Sequence, residues 1–351
     1  MINDRNAIPP LNASRAGQGS DLDVPFCWFN ENGSKIGNID HLNCSEPALL
    51  WASLTVGAPY LAIVIRDLRD APAFALHKWF AIRSVLDFQN GEIHMREAFK
   101  LLDPSEKGAL SYWTGMIFAK LAAEQVLAAP WMAHARLLQK IGLLQINPPN
   151  TKSLPDLIGC TSRAESGIDW HIVEAKGLQR YPSPNRRQSY KNQVGVIETI
   201  SGEKPATRNY CIANIRSPFS AELHDPENIS EKSIDADINP LDLQKYYYRP
   251  FLDLFSDAED GSNVMISKNF VFKKLLCDPI HKERCCVGIA REVFDQVKEW
   301  GIKEQAGSGE ENKPLKNIDV LELSKDEIFE YGDAYIGSDG IFVQLLREKA
   351  W

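Results

Sequence analysis

The sequence predicts a mixed α/β protein whose central part runs helix, three strands, helix, strand, extended on both sides. Three observations predict it. A helical apolar stripe over residues 103–129 gives way after Gly142 to short strand-like runs. A second helical segment and another apolar run follow before residue 216. The 351 residues are 44% hydrophobic and 25% charged, the balance of a globular chain that buries a real core. A fibrous chain, a disulfide-stapled miniprotein and a wholly disordered chain are thereby excluded. The length is a prior for two domains, or for one large domain with additions.

Each element has a local reason. Residues 1–24, rich in Asn, Pro, Ser and Gly, read as a disordered tail, and 25–102 as an N-terminal α/β region. Asp103 caps a helix with Pro104 at its first position and Glu106 completing a capping box, and the helix runs to Ala129. A second helix is expected from Trp131 to Ile141, stopped by Gly142. Strands are expected at 143–146, 155–160 and 168–176, the last two joined by a turn at 163–167. Residues 185–200 read as helix and 210–215 as strand, which closes a core over 103–220. The C-terminal region, 221–351, reads as recognition or scaffold. It holds an acidic stretch, a helix over 241–255, a strand–helix pair around 285–300, a loop at 305–314 and a terminal hairpin across Gly337–Gly340.

Charge and cysteines narrow the setting. With 47 acidic and 39 basic residues the net charge is −8, so nucleic-acid contact would need a local basic patch. Seven cysteines, an odd number, follow a start with no basic-then-apolar leader, and the expected setting is cytoplasmic with reduced thiols. Residues 48–65 form an uncharged run of eighteen, near the lower limit of a membrane helix. Pro59 divides it into pieces of core-element length, which favours burial over insertion.

The chemistry concentrates on three residues. Asp156 begins one expected strand, and Glu174-Ala175-Lys176 ends the next. Side chains alternate along a strand, so Glu174 and Lys176 share a face, and hairpin pairing would bring Asp156 to them. Two carboxylates suit Mg²⁺ or Mn²⁺, and an ammonium beside them favours a phosphorane-like transition state. The plainer alternative is a surface hairpin on which Glu174 and Lys176 merely pair, a contact worth about 0–1 kcal/mol.

Pro155-Asp156, then Glu174-Ala175-Lys176 inside an apolar strand with Gly177 after it, resembles the PD-(D/E)XK, or restriction-endonuclease-like, nuclease superfamily. The resemblance covers residues 110–215. It implies a restriction-endonuclease-like core, with Asp156 and Glu174 as metal ligands and Lys176 as the catalytic lysine. The main-chain carbonyl of Ala175 would be a further ligand. Many members carry a glutamate on the first core helix. Here Glu124, on the stripe of Leu110, Trp113, Ile117, Leu121 and Ala128, either fills that role or bends out to water near the helix end. The implied activity is Mg²⁺- or Mn²⁺-dependent phosphodiester hydrolysis of nucleic acid, with DNA favoured over RNA. A homodimer or partner protein stays open.

From Glu174 to Arg216 there are eight basic residues against three acids. Arg180, Arg186, Arg187 and Lys191 are the expected phosphate-tracking residues, set against the alternative of a solvated face. Gln188 is an accessory candidate by resemblance, although Tyr190 stands two residues after it and the Gln-x-x-x-Tyr pattern is not matched. Cys277, His281, Cys285 and Cys286 lack the paired spacing of zinc sites and read as core thiols. His171 lies on the strand face opposite Glu174 and reads as packing. Two rivals remain: a nuclease-fold binding or scaffold module without turnover, and a membrane-associated protein using residues 48–65.

Overall fold

A computed structural model describes residues 23–30, 32–56, 71–89, 91–149, 153–162, 167–216, 218–226, 233–255, 264–266, 269–278, 283–306, 314–316 and 333–346. Outside them lie the expected tail up to residue 22, residues 57–65 of the uncharged run, turn residues 163–166, His281 and loop residues 307–313.

The N-terminal third contains β1 (Asp23–Phe29), β2 (His41–Asn43), α1 (Glu46–Thr55), α2 (Ala71–Arg83), β3 (Leu86–Gln89), β4 (Glu92–Met95) and α3 (Glu97–Leu101). The middle contains α4 (Pro104–Leu127), β5 (Trp131–His134), α5 (Ala135–Lys140), β6 (Gln145–Asn147), β7 (Leu157–Ser162) and β8 (Ile168–Leu178). It continues with α6 (Pro184–Val194), β9 (Ile197–Ile200), β10 (Thr207–Asn214), β11 (Ser220–His224) and β12 (Ile234–Asp237). The C-terminal part has α7 (Pro240–Phe255), β13 (Val264–Ile266), β14 (Phe270–Asp278), β15 (Glu283–Ala290), α8 (Arg291–Ala306), β16 (Asp333–Ile336) and β17 (Ile341–Leu346).

The fold is mixed α/β. Its largest sheet has the order β2-β1-β11-β10-β8-β7-β5, with β8–β10 and β1–β11 parallel and its other pairs antiparallel. This sheet crosses the sequence boundaries drawn at 102 and 220, because β1 and β2 pair onto it through β11. A second sheet, β13-β14-β15-β17-β16, lies in the C-terminal part.

The start of α4 is as the capping signals predict. Asp103 Oδ1 accepts from the Ser105 and Glu106 amides at 2.6 and 3.2 Å, and Glu106 Oε2 accepts from the Asp103 amide at 3.1 Å. The helix stops where Ala128 turns left-handed at φ 52°. It then meets β8 backbone to backbone. A Cβ on Gly177 would lie 1.9 Å from the Ser111 carbonyl oxygen, and one on Gly115 would lie 2.5 Å from the Gly177 nitrogen. Gly177 therefore faces α4, while Lys176, one residue before it, faces Tyr190 of α6. The two helices cover opposite faces of the sheet.

Two expectations are corrected. Residues 131–141 are not one helix: Trp131–His134 is β5, paired with Leu157–Cys160, and only Ala135–Lys140 is helical. Trp131, Met132 and Ala133 are all fully buried, so pairing at a covered sheet edge outweighs their helix propensity. The expected strand near Leu143–Ile146 exists as β6, but it joins β12 and β9 in a small separate sheet. β5 takes its place beside β7. The segment read as helix over 185–200 ends at Val194 and continues as β9.

In the uncharged run, Ala48–Thr55 of α1 is buried throughout. Among the described residues no helix is long and apolar enough to cross a membrane.

Candidate active site

The antiparallel β7–β8 hairpin pairs Leu157 with Val173, which sets Asp156 opposite Glu174. The two acids then bond to each other's backbone. Glu174 Oε2 accepts from the Asp156 amide at 3.0 Å, and Asp156 Oδ2 accepts from the Ala175 amide at 2.9 Å. The N–H and C=O of one residue leave an extended strand on the same side, so the Ala175 carbonyl also points toward Asp156. Lys176 closes the group with an ion pair to Glu174 Oε1. Its Nζ lies 5.1 Å above the Tyr190 ring, which limits the ammonium's freedom.

Glu174 is 1% exposed. Burial first, and the Asp156 charge second, push its pKa up to about 7 against the opposing pull of Lys176. At Glu174, burial and the neighbouring Asp156 charge thus outweigh the Lys176 ammonium. A divalent cation would supply the missing charge, and two carboxylates plus a carbonyl are a donor set suited to Mg²⁺ or Mn²⁺ completed by waters. Among the described residues no three His, Cys, Asp or Glu side chains converge as a metal-binding group, so a cation here would rest on that sparse set.

Two neighbours were not anticipated from sequence. Tyr112, on α4 next to Ser111, has its hydroxyl 2.8 Å from Nε2 of His134 at the end of β5. Burial, with the charges of Asp156 and Glu174, pushes Tyr112 up to about 12, and burial lowers His134. Both were hidden by the reading of 131–141 as helix, which removed the strand that carries His134 to Asp156. No local pattern in the sequence reports the crossing of Ser111 with Gly177 that sets Tyr112 there.

Glu124 is not at this site. The α4–β8 crossing lies at Ser111–Gly115, and nine residues further along the helix is about 13 Å away. There Glu124 Oε1 accepts from the Ser338 amide of the terminal hairpin at 2.6 Å. Burial, then the neighbouring charge of Asp339, raises its pKa to about 7. The charges of Asp156 and Glu174 act on helix position 112, whose hydroxyl bonds His134, and not on position 124.

The basic residues divide. Arg180 and Arg186 are exposed, and Lys191 is half-buried. Arg187 pairs with Glu222 at 3.8 Å and lies 4.8 Å over the Tyr181 ring. Gln188 is exposed and donates to Asn192 at 3.0 Å on the same helix. Arg208 and Arg216 belong to the scaffold: Arg208 donates to the carbonyls of Ile197 and Glu198 at 3.0 and 2.7 Å, and Arg216 to Gln179 at 3.1 Å. His171 is buried in the opposite face, bonded to Thr207 Oγ1 at 3.0 Å, with burial lowering its pKa to about 4. Cys285 and Cys286 are buried.

Comparison with known proteins finds no matching family model, no matching curated protein and no matching solved structure.

Proposed function

We propose that the chain is a divalent-metal-dependent nuclease of the restriction-endonuclease-like type. It would hydrolyse phosphodiester bonds, DNA before RNA, in a cytoplasmic setting such as defence, restriction or repair. The observation that carries this reading is the mutual tie of Asp156 and Glu174 through each other's strand backbone, with the Lys176 ammonium on Glu174. Within the large sheet and the helices on its faces the order α4, β5, β7, β8, α6, β10 supports it, with α5, β6 and β9 intervening outside that sheet, since helix, three strands, helix, strand is the core order the resemblance implies.

Asp156, Glu174 and the Ala175 carbonyl would hold Mg²⁺ or Mn²⁺. When bound, such an ion supplies positive charge against a phosphate and acidifies a water. The chain's own residues do the rest. Asp156 is fixed by the Ala175 amide, so one of its oxygens keeps a set direction. Lys176, held over Tyr190, offsets the charge that grows on the phosphate oxygens and orients the attacking water. Tyr112 remains a hydroxyl at neutral pH and serves as a donor, oriented by His134.

Purified protein incubated with plasmid, linear duplex, single-stranded DNA and RNA should cleave at least one of them with Mg²⁺ or Mn²⁺ and none in EDTA. Asp156→Asn, Glu174→Gln and Lys176→Met should each lower the rate by about 10²–10³-fold or more. The triple variant should be little worse than the singles, because the residues act as a unit. A variant that keeps full activity removes its residue from the site. The second reading is a silent nuclease-fold module, favoured by one observation: both Glu174 oxygens already have protein partners. Absence of cleavage together with absence of Mn²⁺ binding would select it.

A further inference from the structure

On the sheet face that carries Glu174, strand register sets a row of rings. Tyr210 lies opposite Glu174, His224 opposite Tyr210, and Phe29 opposite His224. Tyr210 and His224 stack with centroids 4.5 Å apart at 6°, and His224 and Phe29 stack at 4.9 Å and 21°. Above the row lies a cleft of about 380 Å³, walled by α6 and by the turn that holds Asn30 and Gly33. That volume lies within the range of small-molecule sites. Asp156, Glu174 and Lys176 do not line it, yet its floor begins one strand away from Glu174, at about 5 Å spacing.

The lining is organised. Glu222 accepts from the Tyr181 hydroxyl, bonds His224 Nε2 at 2.9 Å and pairs with Arg187 at 3.8 Å. This carboxylate therefore holds Arg187 against the Tyr181 ring. Lys191 adds a second cation on the same wall, with no hydrogen-bond or ion-pair partner for its ammonium among the described residues. Tyr210 is 1% exposed, but its hydroxyl also has no hydrogen-bond partner among the described residues. The hydroxyl oxygen itself is not fully buried, so it is open to water or to a ligand atom.

Two cations and a hydroxyl donor suit a phosphate. Two accessible ring walls, Phe29 and Tyr181, suit a planar base, and the Gln188 amide can read its edge. We propose that this cleft binds one nucleotide, its phosphate on Arg187, Lys191 and the Tyr210 hydroxyl and its base between Phe29 and Tyr181. The nucleotide is either an unpaired position of a strand or a free mononucleotide. Assignment to a substrate strand rests on the nuclease reading, whereas nucleotide binding itself does not. In a duplex the base is paired and stacked, so the cleft takes an unpaired strand.

The test is calorimetric titration of the full chain in EDTA, where metal-dependent cleavage does not run. The ligands are nucleoside 5′-monophosphates, ribose 5-phosphate, inorganic phosphate, a short single-stranded oligonucleotide and the same sequence as duplex. Monophosphates are expected to bind at least tenfold more tightly than ribose 5-phosphate or phosphate, and the single strand more tightly than the duplex. Lys191→Ala, Tyr181→Ala and Tyr210→Phe should each weaken binding about tenfold, with thermal melting unchanged for the exposed Tyr181 and for Lys191. Equal binding of ribose 5-phosphate would overturn the base subsite. Nucleotide binding indifferent to all three substitutions, or no nucleotide binding at all, would overturn the cleft assignment. Free nucleotide without strand binding would keep the site and make it an effector pocket. Failure of the nuclease reading is read separately, in the cleavage assay with metal.

Discussion

At the scale of single residues, Glu174 holds the most information. Its pKa is raised from 4.5 to about 7, so between those values the folded chain keeps a proton that the unfolded chain has lost. Its contribution to stability is therefore fully present below about pH 4.5 and is lost as pH rises through 7. In EDTA, Glu174→Gln should remove this part of the pH dependence and melt higher than wild type at pH 8, which a melting series over pH 5–8 checks. A cation needs the carboxylate. Mn²⁺ affinity should accordingly rise about tenfold per pH unit up to 7 and level off above it, as read by titration. A flat affinity over that range would place the metal elsewhere.

At the scale of elements, the contact between α4 and β8 sets where Lys176 stands. Gly177→Ala would place a methyl group 1.9 Å from the Ser111 carbonyl, against backbone that cannot swing aside. The expected cost is about 1–3 kcal/mol by denaturant unfolding, with weaker cleavage as Lys176 shifts. The helix α6 makes a second prediction. Arg186 is exposed and Lys191 half-buried, so Arg186→Glu with Lys191→Glu should weaken nucleic-acid binding without unfolding the chain. The slope of log K against log salt should flatten by about 0.7–0.9 for each phosphate that is no longer neutralised. Arg187 is a poorer probe, because its removal also releases Glu222.

At the scale of the whole molecule, a buried polar cluster joins the terminal hairpin to α4 and α7. Lys120 bonds the Pro130 carbonyl and the Tyr247 hydroxyl, and Tyr247 and Tyr248 bond Asp339 at 2.6 Å each, the first at its carboxylate and the second at its carbonyl. Trp51 of α1 donates to the same carboxylate at 3.3 Å. Asp339→Ala would remove the larger of the two acidic charges facing buried Lys120, together with the acceptor for Trp51 and Tyr247, and should cost about 3–5 kcal/mol of stability. Glu124→Gln should behave oppositely. It keeps the acceptor for Ser338 and removes repulsion from Asp339, so stability at pH 8 should hold or rise while Mn²⁺ affinity stays unchanged. A drop in metal affinity would return Glu124 to the active site.

What the sequence determined by itself was local. Asp103, Pro104 and Glu106 specify the start of α4 because a capping box acts within one turn, and the pairing of Gly337–Gly340 with flanking apolar runs specifies the terminal hairpin. The tie between Asp156 and Glu174 was legible because strand periodicity fixes which side chains share a face once the hairpin forms. Tertiary structure decided the rest. Trp131–His134 became a strand only because β7 offers an edge and α7 covers it, and that pairing set His134 against Tyr112 within the field of Asp156. Glu124 turned to Ser338 because the terminal hairpin, more than two hundred residues away, docks against that part of α4. The cleft beside Glu174 likewise needs Phe29, Tyr181, Tyr210 and His224 from four separate segments, and no local pattern reports a juxtaposition that only sheet register creates.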